Sequence, residues 1–152
     1  MMEPSDLVDA IIEKLSVEMA DQVRSVQLIP HEGKMKFHSG FPAIGVMDGG
    51  DKMEPGKMQE GLKYHVYVVA FQQIFSDNPG DAVSGTEQKP GVMKLIEKAK
   101  GILKKELFDY FDIVKYSGSS PTNGYIKFKK DDRDITTKTC RLEYRKLETS
   151  EI

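Results

Sequence analysis

At 152 residues, with 39% hydrophobic and 30% charged side chains, the chain is the size of one domain and apolar enough to bury a core, and its composition is not that of a disordered segment. Its 22 basic and 24 acidic side chains leave a net charge of −2, which excludes a strongly basic nucleic-acid coat though not a local basic patch. Cys140 is the single cysteine, so an internal disulfide and a thiolate-rich zinc site are excluded as well.

In chain order, Leu7, Val8, Ile11, Ile12, Leu15 and Met19 fall on one arc of a helix, with Asp6, Asp9 and Glu13 opposite, so an amphipathic helix is predicted near the start. Ser5 is its expected N-cap, and the early acids suit the positive end of the helix dipole. The same acids interrupt what would have to be an apolar run in a secretory signal, so export is not expected. Val23 to Pro30 alternates as a strand does. Phe41 to Met47 reads as another short strand, with Pro42 at an edge or a strand start because proline donates no ladder hydrogen bond.

Residues 48–61 hold four of the 13 glycines plus Pro55 and read as a long loop. The strongest strand signal follows over Leu62 to Phe75. Leu62, Tyr64, Val66, Val68 and Ala70 share one face; Lys63, His65, Tyr67, Val69 and Phe71 share the other. Val66 to Phe71 is the longest apolar run, far below the roughly 20 residues that span a bilayer, so a soluble protein of a reducing cytoplasm is expected. Residues 76–90 read as a second long loop, with Asn78-Pro79-Gly80 and Pro90-Gly91 as breakers.

Val92, Leu95, Ile96, Ala99, Ile102, Leu103 and Leu107 then form one stripe, predicting a second amphipathic helix over about Pro90 to Phe108. Lys94, Lys98, Lys100, Lys104 and Lys105 lie away from the stripe. Phe111 to Tyr116, Tyr125 to Lys129 and Thr136 to Leu147 read as strands, the first two separated by Ser117 to Gly124 with its Asn123-Gly124 turn signal. In the last strand Cys140, Leu142 and Tyr144 are expected to face inward, with Arg141, Glu143 and Arg145 outward. The result is one α+β domain over residues 1–152: a mainly antiparallel sheet with two amphipathic helices on one face, in the order α-β-β-β-α-β-β(-β).

Chemistry-bearing patterns are weak. His31, His38 and His65 lack ligand spacing, since neither Lys63 nor Tyr67 beside His65 in the alternation is a histidine or a carboxylate. Asp48-Gly49-Gly50-Asp51 and Asp131-Asp132-Arg133-Asp134 gather carboxylates without the alternating oxygen spacing of a calcium loop, and they read as turns. No Gly-x-Ser-x-Gly elbow and no phosphate-binding glycine motif occurs, and Cys140 between apolar neighbours reads as a small buried hydrophobe. Accordingly no enzyme activity, no catalytic residue, no metal and no cofactor are expected.

Charge is uneven: residues 1–89 carry 8 basic and 14 acidic side chains, net −6, and residues 90–152 carry 14 and 10, net +4. The lysines of the second helix are either a nucleic-acid surface or the solvated side of an amphipathic helix, and the scarcity of arginine and exposed aromatics beside them favours the second reading. Met47, Met53 and Met58 cluster in and beside the first long loop, where adaptable thioethers suit either a partner's surface or the domain's own core.

Taken together, the opening helix, the Phe41-Pro42-Ala43-Ile44-Gly45-Val46 strand, the glycine-rich loop, the long strand from Leu62, the second helix ending in Leu103-Lys104-Lys105-Glu106-Leu107 and the closing strands resemble tail terminator proteins of long-tailed bacteriophages. That family is also called tail completion or minor tail protein. The resemblance implies a virion structural protein, made in the host cytoplasm and located in the tail. It would form a ring, usually a hexamer, on the tail-tube protein, stop tube growth and offer the surface for head–tail joining. A head–tail connector or neck protein of the same fold is the neighbouring alternative; a small nucleic-acid-binding protein using the second helix is the alternative of another class. No membrane partner is expected.

Two helices can cover only one face of a sheet whose central strand is apolar on both. Tyr67, Val69 and Phe71, with His65 on the same face, are therefore expected at a subunit or partner interface, unless the loops 48–61 and 76–90 fold over them. Met53 and Met58 are expected to be ordered by a neighbouring copy.

Overall fold

The computed structural model describes residues 4–31, 34–37, 40–52, 63–74, 80–86, 90–105, 114–128 and 133–146. These form α1 (Pro4–Glu18), β1 (Ser25–Leu28), β2 (Ala43–Lys52), β3 (Lys63–Gln73), α2 (Asp81–Ser84), α3 (Val92–Lys105), β4 (Val114–Phe128) and β5 (Arg133–Lys146). The five strands make one sheet in the order β1-β2-β3-β5-β4. Helices and sheet together give an α+β domain.

Each helix is buried along the stripe that its sequence defines. Leu7, Val8, Ile11, Leu15 and Met19 of α1 and the turn after it are buried, as are Val92, Leu95, Ile96, Ala99 and Leu103 of α3. They meet in one apolar cluster with Ile44 and Val46 of β2, Val66, Val68 and Ala70 of β3, and Cys140, Leu142 and Tyr144 of β5. Strand residues two apart share a face, so a single alternation in three adjacent strands supplies the whole floor of this core. α1 lies against β1 and β2, while α3 lies against β3, β5 and β4.

α1 begins at Pro4 itself, which places Ser5 in the first turn rather than at the cap; proline suits a first turn because its missing N–H would have no intrahelical partner there. α3 starts directly after Gly91, whose carbonyl accepts from the amide of Leu95 at 3.1 Å. A Cβ at Gly91 would collide with the carbonyl of Val83 and the amide of Gly85, so this glycine lets the short α2 turn pack against the start of α3. The buried Gln72 side chain at the end of β3 donates to the carbonyl of Pro90 at 2.9 Å, tying the sheet to the approach of the same helix.

The sheet is mixed. β1 pairs with β2 in parallel, from Ser25 opposite Ala43 to Leu28 opposite Val46, and all other pairs are antiparallel. A parallel pair cannot be closed by a tight turn, and the chain between β1 and β2 has the length of about a dozen residues that such a crossover needs. Pro42 immediately precedes β2, an interior strand, so it marks a strand start and not an edge.

Three expectations from the sequence are corrected. Residues 48–52 are not loop: β2 continues through them to Lys52, with a register shift between Asp48 and Asp51 that accommodates the glycine pair as a bulge. A Cβ at Gly49 would stand 2.7 Å from the carbonyl oxygen of His65, so only glycine permits that approach of the two backbones. Within residues 76–90, Asp81–Ser84 form the single turn of α2. Most consequentially, Phe111–Tyr116 and Tyr125–Lys129 are not two strands around a turn. β4 runs unbroken from Val114 to Phe128, pairing with β5 through Asn123 opposite Lys138 and Gly124 opposite Thr137. The turn propensity of Asn-Gly is local and worth little beside continuous pairing with a fourteen-residue partner strand. Pro121 is accommodated because β4 is an edge strand.

Candidate interaction surface

The sheet face opposite the helices is where an interface is expected from the sequence, and its residues follow from the register. Phe71 stands beside Ala43 and Thr137, Val69 beside Gly45 and Thr139, Tyr67 beside Met47 and Arg141, and His65 beside Glu143. This face therefore changes character along the strands, apolar at the Phe71 end and polar at the His65 end.

The apolar end is not a free surface. Val69 and Phe71 are fully buried with Ile29, Met35, Ala43 and Ile135, and Phe37, Phe41 and Met47 pack onto that group. Phe37 stacks on Phe41 with ring centroids 4.4 Å apart and meets Phe71 edge-on at 5.4 Å. Cover here comes from Ile29, Met35, Phe37 and Phe41 of the β1–β2 crossover; most of the two loops expected to provide it lies outside the described residues. Gly45 leaves the necessary room, since a Cβ there would collide with the tip of Ile29 and come within 3.2 Å of the Phe71 ring. Gln27 holds the crossover in place: its amide group donates to the carbonyl of Lys36 at 2.7 Å and accepts from the Lys36 amide at 3.4 Å. Val69 and Phe71 are core residues, and no partner can reach them without displacing this segment.

The polar end is more open. Tyr67 and Met47 are half-buried, Arg141 is exposed, and His65, at 7% exposure, places Nε2 3.3 Å from a carboxylate oxygen of Glu143. The pair was legible only with the register, because the two residues are 78 positions apart in sequence and directly opposite across β3 and β5. It joins one imidazole to one carboxylate; among the described residues no three His, Cys, Asp or Glu side chains gather as metal ligands do. Met53 and Met58 of the expected interface, and His38, lie outside the described residues.

Elsewhere, Cys140 is buried in the helix-side core, as its alternation with Leu142 and Tyr144 predicts. His31 is exposed at the start of the crossover. A cleft of about 240 Å³ lies between the α1–β1 turn and the crossover, bordered by Asp21, Arg24, Phe41, Pro42 and Pro90. Lys94, Lys98 and Lys104 are exposed along α3. Exposed apolar side chains occur at Val17 (71%) on α1, at Leu28 (59%) on β1, and at Val83 and Met93 near the start of α3. No described helix is long and apolar enough to cross a membrane. No family model matches this chain, and no curated protein matches it.

Proposed function

We propose that this protein is a structural component of a long-tailed phage virion that forms a ring at the end of the tail tube, terminating tube growth and offering the surface to which the head is joined. The observation that carries this reading is the order of elements: an opening helix, the strand that starts at Ala43, the eleven-residue β3, the long helix α3, and a closing antiparallel pair. Those are the elements on which the resemblance to tail terminator proteins rests. A head–tail connector or neck role uses the same fold and the same kind of annular contact. The protein acts through extended surfaces, and catalysis has no part in it.

A phage in which this gene is interrupted tests the role. Tails of uncontrolled length that fail to join heads, cured by supplying the protein, are the expected result in electron micrographs. Tails of normal length that remain headless would assign the connector role instead, and normal infective particles would overturn the proposal.

The exposed lysines of α3 favour a second reading, a nucleic-acid surface. Lysine–phosphate contacts release condensed counterions, so such binding falls steeply with salt. Retention of duplex DNA at low salt, lost on charge reversal at Lys94 and Lys98, would establish that reading, and absence of binding at low salt would dismiss it.

A further inference from the structure

The sheet has two edges, β1 and β4, and neither has a second strand partner among the described residues. Their directions follow from the pairings. β1 and β2 run together, β3 opposes them, β5 opposes β3 and β4 opposes β5, so β1 and β4 are antiparallel to each other. A second copy set down beside the first in the same orientation thus brings its β1 antiparallel to the first copy's β4, the favoured relation for direct strand pairing. Both helices lie on one sheet face, so they remain on a common face of the sheet that continues across the junction.

Charge selects this junction over the others. α1, which covers β1 and β2, carries Asp6, Asp9, Glu13 and Glu18 against Lys14 alone, a net charge of −3. α3, which covers β3, β5 and β4, carries five lysines against Glu97, a net charge of +4. Pairing β4 with β4 sets two α3 helices side by side, and pairing β1 with β1 does the same with two α1 helices. Both carry like-charge repulsion; only β4 against β1 sets an acidic helix beside a basic one. Leu28 on β1, 59% exposed, supplies an apolar contact at that edge.

We propose that copies of this chain associate head to tail by adding the β1 edge of one to the β4 edge of the next, with α1 of the first copy against α3 of the second. Such a contact uses two different patches and so continues from copy to copy rather than stopping at a dimer; a ring results where the rotation between copies closes, as the annular reading requires. It deepens the annular reading given above by naming the surfaces, and it also stands without any phage role. A short β1 keeps each contact weak, and closure of the ring makes the whole stable.

Charge reversal tests it without touching the core, since Asp9, Glu13, Lys94 and Lys98 are all exposed. The mass of the protein is measured by analytical ultracentrifugation over a range of concentration and salt, with circular dichroism as the check on folding. The unaltered chain is expected to form closed oligomers larger than two that loosen as salt rises. Asp9→Lys with Glu13→Lys, or Lys94→Glu with Lys98→Glu, should each weaken association roughly tenfold or more. Mixing the two altered chains should restore every second contact, because the acidic α1 of the Lys94→Glu/Lys98→Glu chain then meets the basic α3 of the other. Amide exchange should slow in both β1 and β4 on association. A monomer at every concentration, a dimer protected at β4 alone, or oligomers indifferent to both reversals would each overturn the proposal. Oligomers of the expected kind from a protein whose loss leaves tails normal would overturn the phage role and leave this contact standing.

Discussion

Phe71 carries much of the second core, and the consequence of changing it differs from that of changing a surface aromatic. Replacing it with Ala removes the ring against which Phe37 packs edge-on and leaves a cavity beneath the crossover, an expected loss of about 3–5 kcal/mol in chemical denaturation. Phe71→Asp should abolish folding outright, because the carboxylate would be buried without a partner. Thr137 beside it argues the other way. Its hydroxyl oxygen is buried and makes no hydrogen bond, so Thr137→Val, which keeps the shape and removes the polar atom, should raise stability by about 1 kcal/mol. A loss on denaturant titration would mean that the hydroxyl is satisfied in solution. Cys140, at 1% exposure, should react with a thiol reagent only as fast as the domain opens, and addition of denaturant should release it. Rapid modification of the native protein would remove it from the core.

Among the elements, α1, α3 and the two-faced β3 were readable from periodicity alone, because 3.6-residue and two-residue repeats are imposed by the backbone and need no knowledge of partners. The β1–β2 crossover was not. Ile29, Met35, Phe37 and Phe41 are spaced without a helical or strand repeat, and their common role appears only when the crossover lies across β2 and β3. An apolar content too high for a solvated connection was the available signal. β4 failed for the opposite reason: a strong local turn signal at Asn123-Gly124 was overridden by a pairing set from outside the segment. The His65–Glu143 pair likewise depended on register, and register depends on which strands are neighbours. Gly101 offers a test at this scale. It sits exposed within α3 with nothing within 4 Å of a Cβ placed there, so Gly101→Ala should stabilise the domain by about 1 kcal/mol and raise Tm by about 2–4 °C. Gly91→Ala, ten residues earlier, should destabilise it, because there the Cβ meets backbone that cannot move aside.

Over the whole molecule, β2 and β3 are apolar on both faces and back two cores that touch different chain segments. The helix-side cluster draws on α1 and α3, and the other on the crossover. Neighbouring residues of β3 serve opposite cores, Val68 and Ala70 on one side and Val69 and Phe71 on the other. Loss of the ladder on either face therefore loosens the wall of the other, which couples the two cores through shared backbone rather than through shared side chains. The expected outcome is a single unfolding transition, coincident by far-ultraviolet circular dichroism and by tyrosine fluorescence, with the slowest amide exchange in β2, β3 and β5. Leu95→Ala and Phe71→Ala then each shift that one transition, Leu95→Ala by about 2–5 kcal/mol. Since the two side chains belong to different clusters, the double variant should equal the sum of the singles within about 0.5 kcal/mol. Two separable transitions, one moved by each variant, would show that the crossover and its core open independently of the helices, and that the sheet does not transmit the loss from face to face.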